Sequence, residues 1–107
     1  KDFGAPIPSQ IADKLRGREF SSFDAFREGF WYAVGEDQTL INQFSRANQR
    51  LIKRGRSPFS QPSEQVGGRQ RYELHHKEEV QHGGEVFHVD NLCVLTPKRH
   101  ISIHKDQ

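Results

Sequence analysis

Along the first half of the chain, apolar side chains return every three or four positions; past residue 55 that rhythm stops. The spacing predicts helices first. Residues 1–8 are expected to be irregular, because Pro6 and Pro8 oppose a helix. In "SQIADKLRG", Ser9 can act as N-cap and Gly17 as stop, with Ile11, Ala12 and Leu15 on one face. "SSFDAFREGFWYAVG" is the clearest helix. Ser21 and Asp24 have capping-box spacing, Phe23, Phe26, Phe30, Trp31 and Val34 recur at helical intervals, and Gly35 is the expected end. From Asp37 to about Arg54 the pattern is helical again through Leu40, Ile41, Phe44, Leu51 and Ile52. Ser45 can cap a second segment within it, which allows two short helices.

"GRSPFSQPSEQVGGRQR" then brings two prolines and three glycines. It reads as an ordered surface loop, since too little chain follows for a second core. "YELHH" and "HVDNLCVL" are strand-like in β-branched and aromatic content. "KEEVQHGGEVF" separates them, with Gly83-Gly84 as a turn. "TPKRHISIHK" closes the chain as a helix with Thr96 as N-cap and Pro97 at its first position. The expectation is a single α+β domain over residues 1–107: a helical scaffold followed by strand, loop, strand and helix. No internal repeat is visible.

Composition narrows the function classes. A chain of 107 residues fits one domain. At 33% hydrophobic residues, with eight Phe, two Tyr and one Trp, it has the bulk for one core, which argues against disorder. Cys93 is the only cysteine, so a disulfide framework and a thiolate metal site are both excluded. No apolar run approaches a membrane span. The net charge of +2 is compatible with a nucleic-acid partner without requiring one. The opening "KDFGAPIPSQ" has neither Met nor an apolar signal region and reads like part of a longer protein.

All six histidines fall in the second half. His100 and His104 are four apart on a predicted helix, so both imidazoles can reach one ion. For an isolated pair, a solvated helix face is the ordinary reading. A third histidine on a preceding strand changes that. His75 and His76 are adjacent on a strand and point to opposite sides, so one suits the metal and the other suits chemistry. Three neutral imidazoles leave a coordination position open, as catalytic sites do. They suit zinc, nickel, cobalt or copper, whereas magnesium prefers oxygen ligands. Asn91 is by itself a turn residue; with its neighbours it completes the order His, Asn, His. Arg69 and Arg71 precede the histidine pair, and Lys98 and Arg99 precede His100, which favours phosphate contact over mere solubility. No base-reading helix is apparent, so little sequence preference is expected.

The stretch "YELHHKEEVQHGGEVFHVDNLCVLTPKRHISIHK" resembles the HNH, or ββα-metal, motif of the DNase domains of nuclease colicins and S-type pyocins. "GAPIPSQIADKLRGREFSSFDAFREGFW", "SPF", "VGGR" and "TPKRH" are similar to the same group, so the resemblance covers nearly the whole chain. It implies that His75, His100 and His104 bind one divalent metal ion: zinc, nickel or cobalt in vitro, with magnesium open in vivo. It implies that His76 is the general base that activates water, and that Asn91 braces the loop holding that base. Glu73 would orient a histidine, and Arg69 would contact a phosphate or pair with Glu73. It implies double-stranded DNA as substrate and a small acidic immunity protein as inhibitor, meeting Arg27, Asn48 and Phe59, with Arg56 and Gln70 tuning partner choice. Phe59 in "SPFS" reads equally as anchor or as core. The nuclease itself is expected to be monomeric, released as part of a larger toxin, and active in the cytoplasm of the target bacterium. The family's basic segment before Lys1 is absent, which lowers the activity expected of this chain. His82 and His88 are expected at the surface. The competing readings are another HNH-type nuclease, a zinc-stabilised nucleic-acid-binding module and, more weakly, an RNase.

Overall fold

The computed structural model describes residues 5–76 and 89–105. They divide into two compact units: Pro8–Pro58, and the described residues up to Ile7 together with those from Phe59 onward.

The first unit is helical: α1 Ser9–Leu15, α2 Phe23–Glu36, α3 Gln38–Ile41 and α4 Arg46–Lys53. α2 is the hub and packs against the other three. Its buried residues Phe26, Phe30, Trp31, Ala33 and Val34 meet Ile11, Leu15, Ile41 and Ile52 in the core of this unit. Burying each large side chain contributes about 1.5–3 kcal/mol. Short polar caps set the helix starts. Ser22 Oγ accepts from Ala25 N, Asp37 Oδ1 from Leu40 N, and Ser45 Oγ from Asn48 N. The expected break at Ser45 is therefore present.

Three local expectations need correction. Pro8, not Ser9, occupies the N-cap position of α1, and Ser22, not Ser21, caps α2. Gly35 does not stop α2, which runs on to Glu36. A Cβ on Gly35 would stand 3.4 Å from Ile52 Cγ2 and from the Ile52 carbonyl oxygen, so this position faces α4 at about van der Waals contact. Gly55 is the true stop signal, after α4. With φ +77°, it lets Gly55 N bond to Ile52 O and Arg56 N to Leu51 O, both at 2.9 Å. This is the paired closure of a Schellman end.

In the second unit, β1 Ala5–Pro6, β2 Glu73–His76 and β3 Leu92–Leu95 form a three-stranded antiparallel sheet in the order β1–β3–β2. His75 lies opposite Cys93, and Ala5 opposite Val94. Residues 5 and 6 are thus strand rather than irregular; Pro6 is tolerated because β1 is an edge. The expected second strand is shortened, since Val89–Asn91 form a 3-10 turn. Leu92, Cys93 and Leu95 are all buried, as suits a central strand. Helix α5, Pro97–Lys105, packs on β2 and places Ile103 against Cys93 and Leu95. Thr96 caps it as expected: its Oγ1 accepts from Arg99 N at 3.3 Å. The architecture is α+β. His82, Gly83, Gly84 and His88 lie outside the described residues.

Candidate metal centre

β2 and α5 together gather the histidines. The strand pleat turns His75 toward α5 and His76 the other way. The helical repeat stacks His100 and His104 on one face of α5. The result is a cluster in which one ligand atom from each of His75, His100 and His104 lies within 4.8 Å of the other two. His75 Nδ1 is 3.1 Å from His100 Nε2. His75 is buried, His100 half-buried and His104 exposed, so the cluster opens to solvent on the His104 side.

The surroundings prepare these rings as donors. His100 Nδ1 donates to Glu73 Oε1 at 2.8 Å, which leaves the lone pair on Nε2, the atom facing His75. Glu73 in turn accepts from Arg69 Nε at 3.0 Å and from Arg69 Nη2 at 2.5 Å. Burial alone would raise the Glu73 pKa. The hydrogen bonds and charges of Arg69 and His100 outweigh it and hold the carboxyl below its usual range. The same fork raises Arg69. Burial, followed by the charges of His100, His104 and His76, lowers His75 from its usual 6.5 to about 4. His75 is therefore neutral, the form that donates to a metal.

A bound cation fits this arrangement. His75 Nε2 is buried without a hydrogen-bond partner, which is costly for an imidazole nitrogen. Two ring nitrogens at 3.1 Å have at most one proton to share. An ion shared by the three imidazoles would use one nitrogen of each ring, so it would account for one of these two features: the lone Nε2 of His75 or the close approach of its Nδ1 to His100. Nitrogen donors alone suit zinc, nickel, cobalt or copper.

The other singled-out residues fall as follows. His76 and Asn91 are half-buried at the ends of the two strands that flank this site. Lys98 and Arg99 are exposed on the first turn of α5. The Arg71 guanidinium lies over the Phe59 ring, 4.6 Å from its centroid, and the two residues form an isolated β-bridge. Phe59 is 40% exposed, so it is not core. A residue expected to meet DNA and one expected to meet an inhibitor therefore share one surface. Gln70 is exposed, and its carbonyl accepts from Ser60 N and Ser60 Oγ. In the helical unit, Arg27 pairs with Asp24 and lies over Phe23, Asn48 sits in the first turn of α4, and Arg56 is exposed. Sequence reasoning did not single out Glu64, whose carboxylate accepts from Thr96 Oγ1 at 2.8 Å. A separation of 32 positions leaves no local pattern to reveal that bond.

Comparison with known proteins gives one consistent picture. The model of the family described as "Colicin/Pyocin-S2, DNase domain" matches residues 1–105, and so spans both units. Colicin-E2 of Escherichia coli is 50% identical over 98% of the chain, and pyocin-S1 of Pseudomonas aeruginosa 52% over 95%. The chain spans only 18% and 16% of those proteins, respectively. Among solved structures, the pyocin AP41 DNase–immunity complex matches with a TM-score of 0.96 and 43% identity, over 100% of this chain and 84% of that one. The mutant nuclease domain of pyocin S8 with its cognate immunity protein gives 0.91 and 49%, over 95% and 82%.

Proposed function

The chain belongs to the colicin/pyocin-S2 DNase-domain family, and from that premise we propose that it is the metal-dependent killing domain of a bacteriocin, hydrolysing DNA with little sequence preference. The observation that carries the metal-dependent part is the convergence of His75, His100 and His104 within 4.8 Å, with Glu73 fixing the tautomer of His100. When bound there, a divalent ion supplies charge stabilisation to the scissile phosphate and the departing 3′-oxygen.

The protein's own groups do the rest. His76, next to a metal ligand and turned to the other face of β2, takes the proton from the attacking water. Asn91, in the turn that leads into β3, holds the loop that orients His76. Arg69 is tied to Glu73 but keeps 45% of its side chain exposed, so it can reach a phosphate without releasing the carboxylate. Arg71, Lys98 and Arg99 add phosphate contacts that position the duplex and read no bases. The products carry 5′-phosphate and 3′-hydroxyl ends.

A small acidic immunity protein is the inhibitor. The exposure of Phe59 supports its role as the anchor, with Gln70, Arg27, Asn48 and Arg56 also at the interface. The two immunity-protein complexes among the matching structures support this partner. The domain is monomeric and acts within a longer toxin, released from its producer and active in the cytoplasm of the target cell. No described helix is long and apolar enough to cross a membrane.

Plasmid nicking tests the reading. Supercoiled DNA is expected to be nicked with zinc, nickel or cobalt present and left intact in EDTA. Cleavage that persists in EDTA, or RNA cut in preference to DNA, would refute it.

A further inference from the structure

Helix α5 carries two of the three clustered histidines, so its orientation sets the cluster. Among the described residues, the loop 59–71 holds this helix from outside the sheet. In residues 59–71 the backbone closes on itself through Ser60 N to Gln70 O at 3.0 Å and the reciprocal bonds of Val66 and Arg69. Gln65 Nε2 donates to Ser60 O at 2.9 Å and ties the Pro62–Glu64 turn to that base. From this closed loop two side chains reach α5. Arg69 does so through Glu73, which holds His100 Nδ1. Glu64 does so directly, accepting the Thr96 hydroxyl proton at 2.8 Å. The Pro62–Glu64 turn also packs against α5.

A hydroxyl has one proton and two lone pairs. With the proton committed to Glu64, the lone pairs of Thr96 Oγ1 are left for the helix, and Arg99 N uses one at 3.3 Å. The Thr96 carbonyl accepts from His100 N at 2.9 Å, so the His100 peptide hangs one turn below the residue that Glu64 grips. A carboxylate near a helix N-terminus is also favoured by the helix dipole.

We propose that Glu64 is a positioning residue for the reaction. Through Thr96 it sets the first turn of α5, and with it the approach of His100 and His104 to His75. Neither Glu64 nor Thr96 belongs to the histidine cluster. The inference rests on the metal-site reading above.

The test uses Glu64→Ala and Thr96→Val in the full chain, with Glu64→Gln and Thr96→Ser as conservative partners. Zinc affinity is read by calorimetry, and coordination geometry by the visible spectrum of the cobalt(II) form. Each disruptive variant is expected to weaken zinc binding by about tenfold, the low end of what outer partners of metal ligands cost, and to shift the cobalt bands. The double variant is expected to bind as weakly as either single one, because both break the same bond. Glu64→Gln and Thr96→Ser, which can each keep a hydrogen bond, are expected to retain near-parental affinity. In plasmid cleavage, kcat falls while KM for DNA holds. Parental zinc affinity and spectra in both disruptive variants would overturn the positioning role while leaving the metal site standing. So would losses that simply add in the double variant. A parent chain that binds neither zinc nor cobalt would overturn both.

Discussion

His75 and His76 share a strand but face different surroundings, and on the proposed function that difference separates a ligand from a base. His75 is buried against two other imidazoles, whereas His76 is half-buried on the opposite face of β2. His76→Ala is expected to keep zinc affinity by calorimetry and to lose about 10²–10⁴-fold in cleavage rate. Parental nicking by that variant would remove His76 from the chemistry. His104→Ala is expected to lose most zinc affinity, and an unchanged titration would exclude it as a ligand. Phe59→Ala is expected to cost about 2 kcal/mol or more in immunity-protein affinity, as hot-spot truncations do. Its melting temperature should hold, since a 40% exposed ring contributes little to the core. Equal binding by parent and variant would dismiss the anchor. The histidine cluster was legible in advance in two steps: the strand pleat and the helical turn placed one of His75 and His76 with His100 and His104, and the family resemblance chose His75. The Glu64–Thr96 bond was not, because only the folded loop brings position 64 to position 96.

Element starts and stops follow the same division. Ser45, Thr96 and Pro97 were readable since each offers one candidate at the right offset. At α2, Ser21 and Ser22 are both capable caps one residue apart, so the sequence alone does not choose between them, and the folded helix uses Ser22. β1 has two residues, too few for any period, and exists because β3 offers it an edge. Gly35 and Gly55 look alike as letters but differ in the fold: one lies within α2 facing α4, and the other adopts a left-handed turn. Gly55→Ala tests the second role. Its Cβ would fall 2.7 Å from Glu28 Cγ and Tyr32 Cε2 at a φ of +77°. The left-handed conformation alone costs a side chain roughly 1–2 kcal/mol, so a total loss of about 2 kcal/mol or more is expected, as a lower denaturant midpoint. An unchanged midpoint would show that the turn relaxes freely.

At the scale of the whole molecule, the His75 environment makes stability depend on acid. Its pKa is lowered on folding from 6.5 to about 4. The unfolded chain therefore binds a proton at pH values where the folded chain does not, and stability falls with pH between those two values. The melting temperature of the metal-free protein is expected to be highest above about pH 6.5 and to decline toward pH 4. A flat profile across that window would contradict the burial of a neutral His75. At 100 times its Kd and neutral pH, zinc is expected to stabilise the fold by about 2.7 kcal/mol, seen as a raised melting temperature. That gain should fade as acid protonates the ligands. The two units also differ in how the chain reaches them. The helical unit is one continuous stretch, Pro8–Pro58, closed by near neighbours. The sheet must join Ala5 to Val94, a loop of about ninety residues whose closure is entropically costly. A ribosome that has released the helices has not yet made α5, and without His100 and His104 there is no cluster. The order of synthesis thus brings the cluster last: a chain broken off before α5 holds the whole helical stretch and only one of the three clustered histidines.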